Sequence, residues 1–248
     1  LGHAEADPNE AVRISQMMLD LRYCDGLFLL GDLHETEEDS SFLKEIGWNM
    51  PLVLLCRGSH QLVGDYPAVG VDNPGGVVRG LDYLRGLGHS KIAFMGGGRL
   101  GDLNERREAY SAFMKEKTGE AVEDWLVPAE NSLEGGYLGM KTLLKLNDRP
   151  TAVFASDDVM AIGAYRAAME AGVRIPEDIS VMGFDDIKFA KYLSPALTTM
   201  RQPVEAIVKE GMNFMMQLLG ENAGMAYGRR AFSEPDLVVR ESCAAPNL

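Results

Sequence analysis

Residues 150–203 read PTAVFASDDVMAIGAYRAAMEAGVRIPEDISVMGFDDIKFAKYLSPALTTMRQP, and they contain the clearest structural pattern in the chain. Residues 151–155 are a short apolar run, which predicts a buried parallel strand. Residues 159–171 are apolar almost all round and are followed by Gly172, which predicts a buried helix with a glycine at its end. Residues 179–183 predict a second buried strand. Strand, helix and strand in this order form the unit from which parallel sheets are built.

Each of these two strands runs into a pair of acidic residues. Asp157 and Asp158 follow the first strand, and Asp185 and Asp186 follow the second. Ligands of open α/β sheets bind outside the carboxyl ends of the strands. We therefore expect a ligand site at this edge, with Asp158 capping its helix and Asp186 in a structural role.

The same alternation of short apolar runs and helical patterns extends over the rest of the chain. It predicts an α/β fold with parallel, doubly wound sheets. The order of the elements leaves open whether there is one sheet or two. The further predicted strands are residues 26–30, 51–55, 68–71, 91–95, 124–127, 229–232 and 236–239, and the further predicted helices are residues 8–22, 35–47, 76–87, 105–117, 133–146 and 203–219.

Composition narrows the class of protein. The 248 residues are 46% hydrophobic and 25% charged, which is typical of a soluble globular protein. Asp and Glu number 37 against 24 Lys and Arg, so this stretch of chain is poorly suited to gripping nucleic-acid phosphates. Cys24, Cys56 and Cys243 are too few and scattered for a disulfide framework, which favours a cytoplasmic location. The sequence contains no apolar run of membrane-spanning length, and we expect no membrane partner.

Motifs for cofactors, metals and nucleophiles are not found. Gly96, Gly97 and Gly98 follow a predicted strand, but the surrounding sequence lacks both phosphate-loop patterns, so we expect a tight turn. The four histidines (His3, His34, His60 and His89) show no metal-ligand spacing, and His89 is expected to be structural. We predict no cofactor, no metal and no catalytic residue.

The segment from Val153 to Pro203 resembles the effector-binding core of the lactose/galactose-repressor (LacI/GalR) family of transcription regulators. The resemblance rests on "GVRIPEDISVMGFDD", residues 172–186, and "LSPALTTMRQP", residues 193–203. Further matching pieces are "VDN" at residues 71–73, "LGHSKIAFMGG" at residues 87–97, R-x-x-A-Y at residues 106–110 and "LVVRESCAAP" at residues 237–246. The resemblance covers essentially the whole chain.

This resemblance implies two Rossmann-like lobes with parallel sheets, joined by three crossovers, as in periplasmic binding proteins, with the ligand in the cleft between them. We expect one lobe to hold residues 1–72 plus 201–226 and the other residues 73–200 plus 227–248. Family members begin with a helix-turn-helix headpiece and a first strand–helix–strand, and the sequence as given starts after the segments that would match these. The resemblance also implies a homodimer, with contacts at residues 188–193, and operator DNA bound through the headpiece.

Three residues are the main candidates for effector binding. Asp185 matches the family's aspartate that accepts hydrogen bonds from the ligand; the other interpretation is a cap for a short turn at residues 187–192. Arg106 matches the family's effector-binding arginine, whereas its neighbour Arg107 is expected on the helix surface. Asp157 stands where the family usually has Asn. Because a carboxylate accepts hydrogen bonds but cannot donate them, we expect a ligand rich in donors, or a neighbouring cation.

Three further positions are weaker candidates. Asn131 stands where many relatives carry an aromatic ring, so a ligand held mainly by hydrogen bonds is favoured over a stacked one. Cys56 replaces an Asp that is frequent in the family, and that contact is expected to be lost or exchanged for packing. Asp72 lies at a predicted crossover, where lining the cleft and stabilising the hinge are both open.

The function predicted from the sequence is an effector-sensing domain of a transcription regulator that binds a sugar or sugar-like metabolite. A sugar-binding protein of a transporter is the second interpretation, because it uses the same two-lobe fold. A hydrolase with Asp157 and Asp185 as paired carboxylates is the third, and the lack of a nucleophile or metal motif counts against it.

Overall fold

The computed structural model describes residues 13, 17, 24–30, 44, 46–47, 49–55, 65–97, 101–118, 125–221 and 223–247. In chain order the elements are β1 (Leu27–Leu30), β2 (Leu52–Leu55), β3 (Ala68–Val71), α1 (Asn73–Gly86), β4 (Ile92–Met95), α2 (Gly101–Thr118), β5 (Leu126–Val127), α3 (Leu133–Leu143), β6 (Ala152–Ala155), α4 (Asp158–Glu170), β7 (Ser180–Asp185), β8 (Thr198–Arg201), α5 (Val204–Leu219), β9 (Arg230–Ser233) and β10 (Asp236–Val238). Short 3-10 helices span Ala190–Tyr192 and Ala223–Met225.

The chain divides into two compact units. The first comprises Leu1–Val71 and Val204–Ser233, and the second comprises Asp72–Pro203 and Glu234–Leu248. In the first unit, the described strands form one parallel sheet in the order β1-β2-β3-β9. α5 lies on this sheet, with Ile207, Phe214 and Leu218 buried, because its apolar residues recur at helical spacing.

The second unit is built on a sheet whose described strands have the order β10-β8-β7-β6-β4-β5. All neighbours in it are parallel except β10, which runs antiparallel to β8. Every residue of β4 and β6 is buried, as expected for parallel strands that are covered on both faces. The sequence therefore shows these strands as unbroken apolar runs instead of alternating ones.

The side chains of this sheet alternate between two apolar layers. On one face, Ala93, Val153 and Val181 pack in a buried cluster with residues of α3 and α4. On the other face, Phe154 and Met182 lie against α1 at Gly80. The alternation follows from the two-residue repeat of a strand.

α3 and α4 approach each other closely at a glycine. A Cβ added to Gly163 would lie 2.0 Å from the carbonyl oxygen of Leu133 and 2.7 Å from the backbone nitrogen of Tyr137. Both obstacles are backbone atoms, so they cannot rotate away as a side chain can. Gly163 is therefore a requirement of this helix contact.

Most predicted elements are confirmed to within a few residues, including the strand–helix–strand at residues 151–183. The predicted helices 8–22 and 35–47 lie largely outside the described residues. The structure differs from the predicted lobe bounds at three points. Residue 72 and residues 201–203 belong to the second unit, and residues 227–233 belong to the first, where β9 pairs with β3 from Ala68↔Arg230 to Val71↔Ser233. The four-residue strand carries too little pattern to reveal which sheet it joins.

Gly163→Ala is expected to lower the free energy of unfolding by about 2–4 kcal/mol, because the added methyl group forces the backbones of α3 and α4 apart. Urea unfolding followed by circular dichroism measures this change. The matched control is Gly86→Ala, since a Cβ there meets nothing within 4 Å. That control should be neutral or stabilising by up to about 1 kcal/mol. Equal stability of the two variants would contradict the close contact.

Candidate functional site

The carboxyl ends of β6, β7 and β8 meet at one edge of the second unit's sheet, because these strands are parallel neighbours. β6 leads into Ser156 and Asp157, β7 ends at Asp185, and β8 leads into Gln202. α2 brings Arg106 to the same edge. The structure thus brings together three of the residues predicted from the sequence, namely Asp185, Arg106 and Asp157.

The guanidinium of Arg106 is buried and contacted on several sides. Its Nε donates to Oδ1 of Asn73 at 2.9 Å, and one terminal nitrogen donates to the carbonyl oxygen of Ser156 at 2.7 Å. The other terminal nitrogen forms an ion pair with Asp185 at 3.2 Å. The ring of Phe184 lies beneath it, with its centroid 3.7 Å from Cζ, within the range of a cation–π contact. Arg106 is therefore held in one orientation before any ligand arrives.

Asp185 lies at the end of β7 and remains partly accessible. Its side chain is 27% exposed, against 3% for Arg106. Its Oδ1 also accepts a hydrogen bond from Nε2 of Gln202 at 2.5 Å. The alternative role as a cap is wrong, because Phe189 occupies the N-cap position of the helix Ala190–Tyr192 and that helix has no side-chain cap. Asp185 thus presents an accessible carboxylate beside a fixed guanidinium.

Asp157 caps α4. Its Oδ1 accepts a hydrogen bond from the backbone nitrogen of Met160 at 2.7 Å, and the residue is only 4% exposed. Burial raises the pKa of Asp157 above its ordinary value; the Met160 hydrogen bond opposes this rise, and the charge of Asp185 adds to it. Within the described part of the chain, Asp157 forms no ion pair, so it is a buried acceptor beside the Arg106–Asp185 pair.

Asp158 was predicted to cap this helix, and that prediction is wrong. The cap position belongs to Asp157, while the carboxylate of Asp158 reaches across to the neighbouring strands. It accepts hydrogen bonds from Oγ1 of Thr199 at 2.6 Å and from the backbone nitrogen of Ile187 at 2.8 Å. Burial raises the pKa of Asp158 to about 7, although these two hydrogen bonds act in the opposite direction.

Asp186 has a structural role, as predicted. It bridges two arginines, accepting from Nε of Arg201 at 2.7 Å and from a terminal nitrogen of Arg240 at 2.5 Å. Burial alone would raise the pKa of Asp186, but the two arginines hold it below its ordinary value. Asp186 thereby ties the end of β7 to β8 and to the segment after β10.

The three weaker candidates have different positions. Asp72 caps α1 by accepting from the backbone nitrogen of Gly75 at 3.0 Å, at the boundary between the two units. Asn131 is exposed, precedes the N-cap Ser132 of α3 and makes no hydrogen bond to Arg106, Asp157 or Asp185. Cys56 lies outside the described residues.

Sequence reasoning missed two residues that contact the main candidates. Asn73 is fully buried and joins Arg106 to Glu105, because its Nδ2 donates to Oε2 of Glu105 at 3.2 Å. Gln202 binds Asp185 directly. Both stand in segments that resemble the family, "VDN" at residues 71–73 and "LSPALTTMRQP" at residues 193–203, but these motifs do not reveal their contacts.

His89 is structural, as predicted. The residue is 3% exposed, with one ring nitrogen 2.8 Å from Oγ1 of Thr151 and the other 2.9 Å from the carbonyl oxygen of Ala244. Burial lowers the pKa of His89 below its ordinary value. Over the described ranges, no group of three His, Cys, Asp or Glu side chains is arranged to hold a metal ion, and no helix is long and apolar enough to cross a membrane.

The site combines acceptors and a donor at one strand edge. Asp185 and Asp157 can accept hydrogen bonds from hydroxyl or amine groups, and the guanidinium of Arg106 can donate to oxygen atoms. Because Arg106 is fixed by Asn73 and Ser156, little side-chain entropy is lost when a ligand binds. This chemistry suits a polar ligand with several neighbouring oxygen atoms.

Comparison with known proteins identifies the family. The profile of the periplasmic binding protein-like domain matches residues 81–243, which is more than half of the chain. The chain belongs to this family. Its homologues are bacterial repressors. This chain is 38% identical to the ribose operon repressor of Haemophilus influenzae over 156 residues, which are 62% of this chain and 46% of that repressor.

Two other matches cover more of the chain. The transcriptional repressor PurR of Klebsiella pneumoniae is 34% identical over 219 residues, which are 87% of this chain and 62% of the relative. The solved structure of a transcriptional regulator CelR–cellobiose complex superposes with a TM-score of 0.83 at 27% identity, over 95% of this chain and 71% of that one. The chain spans about half to two thirds of the length of these curated relatives. The predicted fold class and the resemblance to LacI-type regulators are confirmed.

Arg106→Lys is expected to lower the free energy of unfolding by about 2–4 kcal/mol, because an ammonium group cannot replace the planar fork and leaves buried acceptors unpaired. Thermal unfolding by calorimetry measures this loss. Arg174→Lys is the control, since Arg174 is exposed and pairs with Asp178, four residues further along the chain; its effect should stay below about 0.5 kcal/mol. If both variants unfold alike, Arg106 does not hold the edge together.

Proposed function

We propose that this chain is the effector-binding domain of a transcription regulator of the LacI type, and that its effector binds at the edge formed by Asp185, Arg106 and Asp157. One observation carries the proposal: a buried, preoriented guanidinium lies beside an accessible carboxylate at the carboxyl ends of parallel strands. That is the position at which α/β sheets bind small ligands.

The chemistry of the edge favours a sugar or sugar-like metabolite. Adjacent hydroxyl groups can donate to Asp185 and Asp157 while their oxygen atoms accept from Arg106. Two named relatives point the same way, since one structure is a complex with cellobiose and one repressor is named for a ribose operon. Because Asp157 accepts but cannot donate, the effector should direct a hydroxyl or amine hydrogen toward it.

Regulation follows from differential affinity. An effector changes the balance between two conformations only to the extent that it binds one more tightly than the other. Coupling of this kind to operator affinity is typically about 1–3 kcal/mol. The operator would be bound in the cytoplasm by a helix-turn-helix headpiece, as in the repressors that this chain resembles.

Asp185→Asn is expected to abolish stabilisation by the effector, because the amide replaces a charged acceptor with a weaker, neutral one. Thermal shifts are measured with a panel of neutral mono- and disaccharides that includes D-ribose and cellobiose. The unliganded melting temperature is expected to fall by several degrees, because Asn can still accept from Gln202 but no longer supplies a negative charge to the buried Arg106 guanidinium. The ligand-induced shift is therefore measured relative to the unliganded form of each variant.

The control is Asp148→Asn. Asp148 is an exposed acid that pairs with Lys91, the residue just before β4, at the opposite edge of the sheet. This variant should keep the full ligand-induced shift. A wild-type shift that survives Asp185→Asn would remove Asp185 from the site, and a wild type that no sugar stabilises would contradict the sugar assignment.

We further propose a homodimer. Large apolar side chains are exposed along α3 and α4, and Phe189 and Tyr192 are 69% and 74% exposed beside them. The 190–195 segment adjoins α4, because Tyr165 donates to the carbonyl oxygen of Pro195 at 3.1 Å. Glu134 and Arg166 lie in the groove between α3 and α4, so a two-fold-related copy could pair them. The exposed apolar residues of the two helices are Leu133, Leu138, Val159 and Met169.

Leu138→Glu combined with Met169→Glu is expected to raise the dimer dissociation constant at least tenfold, because two charges would be buried without partners. Sedimentation velocity over a concentration series measures the association. Val204→Glu is the control, since Val204 is equally exposed but lies on α5 of the first unit. A monomeric wild type, or a dimer that tolerates both charges, would contradict this surface.

A further inference from the structure

The turn that presents Asp185 has an unusual backbone. Asp185 has a φ of 107° and Asp186 a φ of 56°, and they are the only described residues other than glycine with positive φ. Such conformations are unfavourable for residues with a side chain and persist only where surrounding contacts hold them. The conformation of this turn decides where the Asp185 carboxylate points.

The buried side chain of Asp158 contacts this turn through a hydrogen bond. Its Oδ2 accepts the backbone N–H of Ile187, the residue directly after the two strained positions, at 2.8 Å. Its Oδ1 accepts the hydroxyl of Thr199 on β8 at 2.6 Å. The carboxylate also lies so close to β7 that a Cβ on Gly183 would be 2.2 Å from Oδ1. Asp158 therefore joins α4, β7 and β8 at one point beneath Asp185.

We propose that Asp158 is a positioning residue, which fixes the Asp185–Ile187 turn and so sets the affinity of Asp185 for the effector in a pH-dependent way. The inference rests on the proposed function for the role of Asp185 as an effector ligand. The role of Asp158 in the turn is independent of the ligand. It can therefore be tested in the unliganded protein.

The pH dependence follows from the groups that face Asp158. Asp185 and Asp186 lie at the end of β7. Asp157 directly precedes Asp158 in the chain, and Tyr165 lies on α4. The nearby cations are engaged elsewhere: Arg106 pairs with Asp185, while Arg201 and Arg240 pair with Asp186. Burial, together with the charges of Asp185 and Asp186, accordingly raises the pKa of Asp158 to about 7.

Protonation changes the hydrogen bonds that the side chain of Asp158 can form. The ionised carboxylate accepts from both Ile187 and Thr199, and hydrogen bonds to a charged acceptor are roughly twice as strong as neutral ones. In the neutral acid one oxygen carries a hydrogen, so the bond to Ile187 weakens and the hydroxyl of Thr199 must turn to accept. Effector affinity should therefore rise as the pH increases from 6 to 8.

Stability should change in the opposite direction. The pKa of Asp158 is higher in the folded protein than in the unfolded chain. At pH values between the unfolded pKa and the folded pKa, the folded state therefore binds more protons than the unfolded state. Its contribution to the free energy of unfolding is fully present below about pH 4 and is lost as the pH rises through about 7. If Asp158 only supported the fold, the free energy of unfolding and the effector affinity would fall together as the pH rises. Opposite pH trends of these two quantities therefore distinguish a positioning role.

The first experiment follows the amide proton of Ile187 in protein labelled with 15N-isoleucine. The resonance is assigned by its disappearance in Ile187→Val. In the wild type its chemical shift should change with a midpoint near pH 7. In Asp158→Asn the shift should not change over this range, because Asn mimics the neutral acid at every pH. The amide of Ile162, in the middle of α4, is the internal control. An Ile187 resonance that is flat from pH 5.5 to 8.5 would overturn the proposal.

The second experiment measures affinity by calorimetry at pH 6, 7 and 8, with D-ribose and cellobiose as probes. Asp158→Asn should bind about fivefold more weakly than the wild type at pH 8 and equally at pH 6. Asp178→Asn, at an exposed acid that pairs with Arg174, should keep the wild-type profile. Unchanged affinity and pH profile in Asp158→Asn would overturn the positioning role. Failure of both sugars to bind the wild type would count against the proposed function, while the Ile187 titration still decides the role of Asp158.

Discussion

Burial of the Arg106 guanidinium is the constraint on which the second unit's strand edge depends. A charged group removed from water costs several kcal/mol unless ion pairs and hydrogen bonds compensate it. Compensation here comes from four separate places in the chain: Asn73 at the start of α1, Ser156 after β6, Phe184 within β7 and Asp185 at its end. The arginine can be accommodated only when these elements are in their native positions. The same requirement that stabilises the edge also fixes the geometry of the candidate site.

This arrangement explains how the edge can be rigid and still bind a ligand. Asn73 and Ser156 take up the inner donors of Arg106, so its orientation does not depend on Asp185 alone. Asp185, in turn, is secured by Gln202 and by its own strained turn, and it is the more exposed partner of the ion pair. A ligand that approaches from solvent therefore meets a carboxylate and a guanidinium that need not reorganise. Preorganisation of this kind favours affinity because fewer side chains lose freedom on binding.

The strands of the second unit could be predicted from the sequence because they are covered on both faces. The runs at β4 and β6 are apolar without interruption, and β7 is apolar apart from Ser180 and its acidic end. Where the signal is local but ambiguous, the prediction fell short. Helix α1 begins at Asn73, three residues before the predicted start, because Asn-Pro-Gly-Gly reads as a loop, although Asp72 caps it and Pro74 occupies a position that suits a first turn. For β9, four residues contain no information about their partner, which lies more than 150 positions earlier in the chain.

The two adjacent acids after β6 show why the site could be located but not resolved from the sequence. Neighbouring residues at a helix start point in directions about 100° apart, so Asp157 and Asp158 cannot share one environment. Either could cap the helix by residue type, and the choice is made by tertiary contacts: the space beside Gly183 and the donors on Ile187 and Thr199 receive Asp158, which leaves Asp157 at the cap. Those contacts come from residues 25 to 41 positions further along the chain. The local pattern therefore identifies acidic residues at the end of a strand, whereas tertiary packing decides which of them caps the helix and which binds the neighbouring strands.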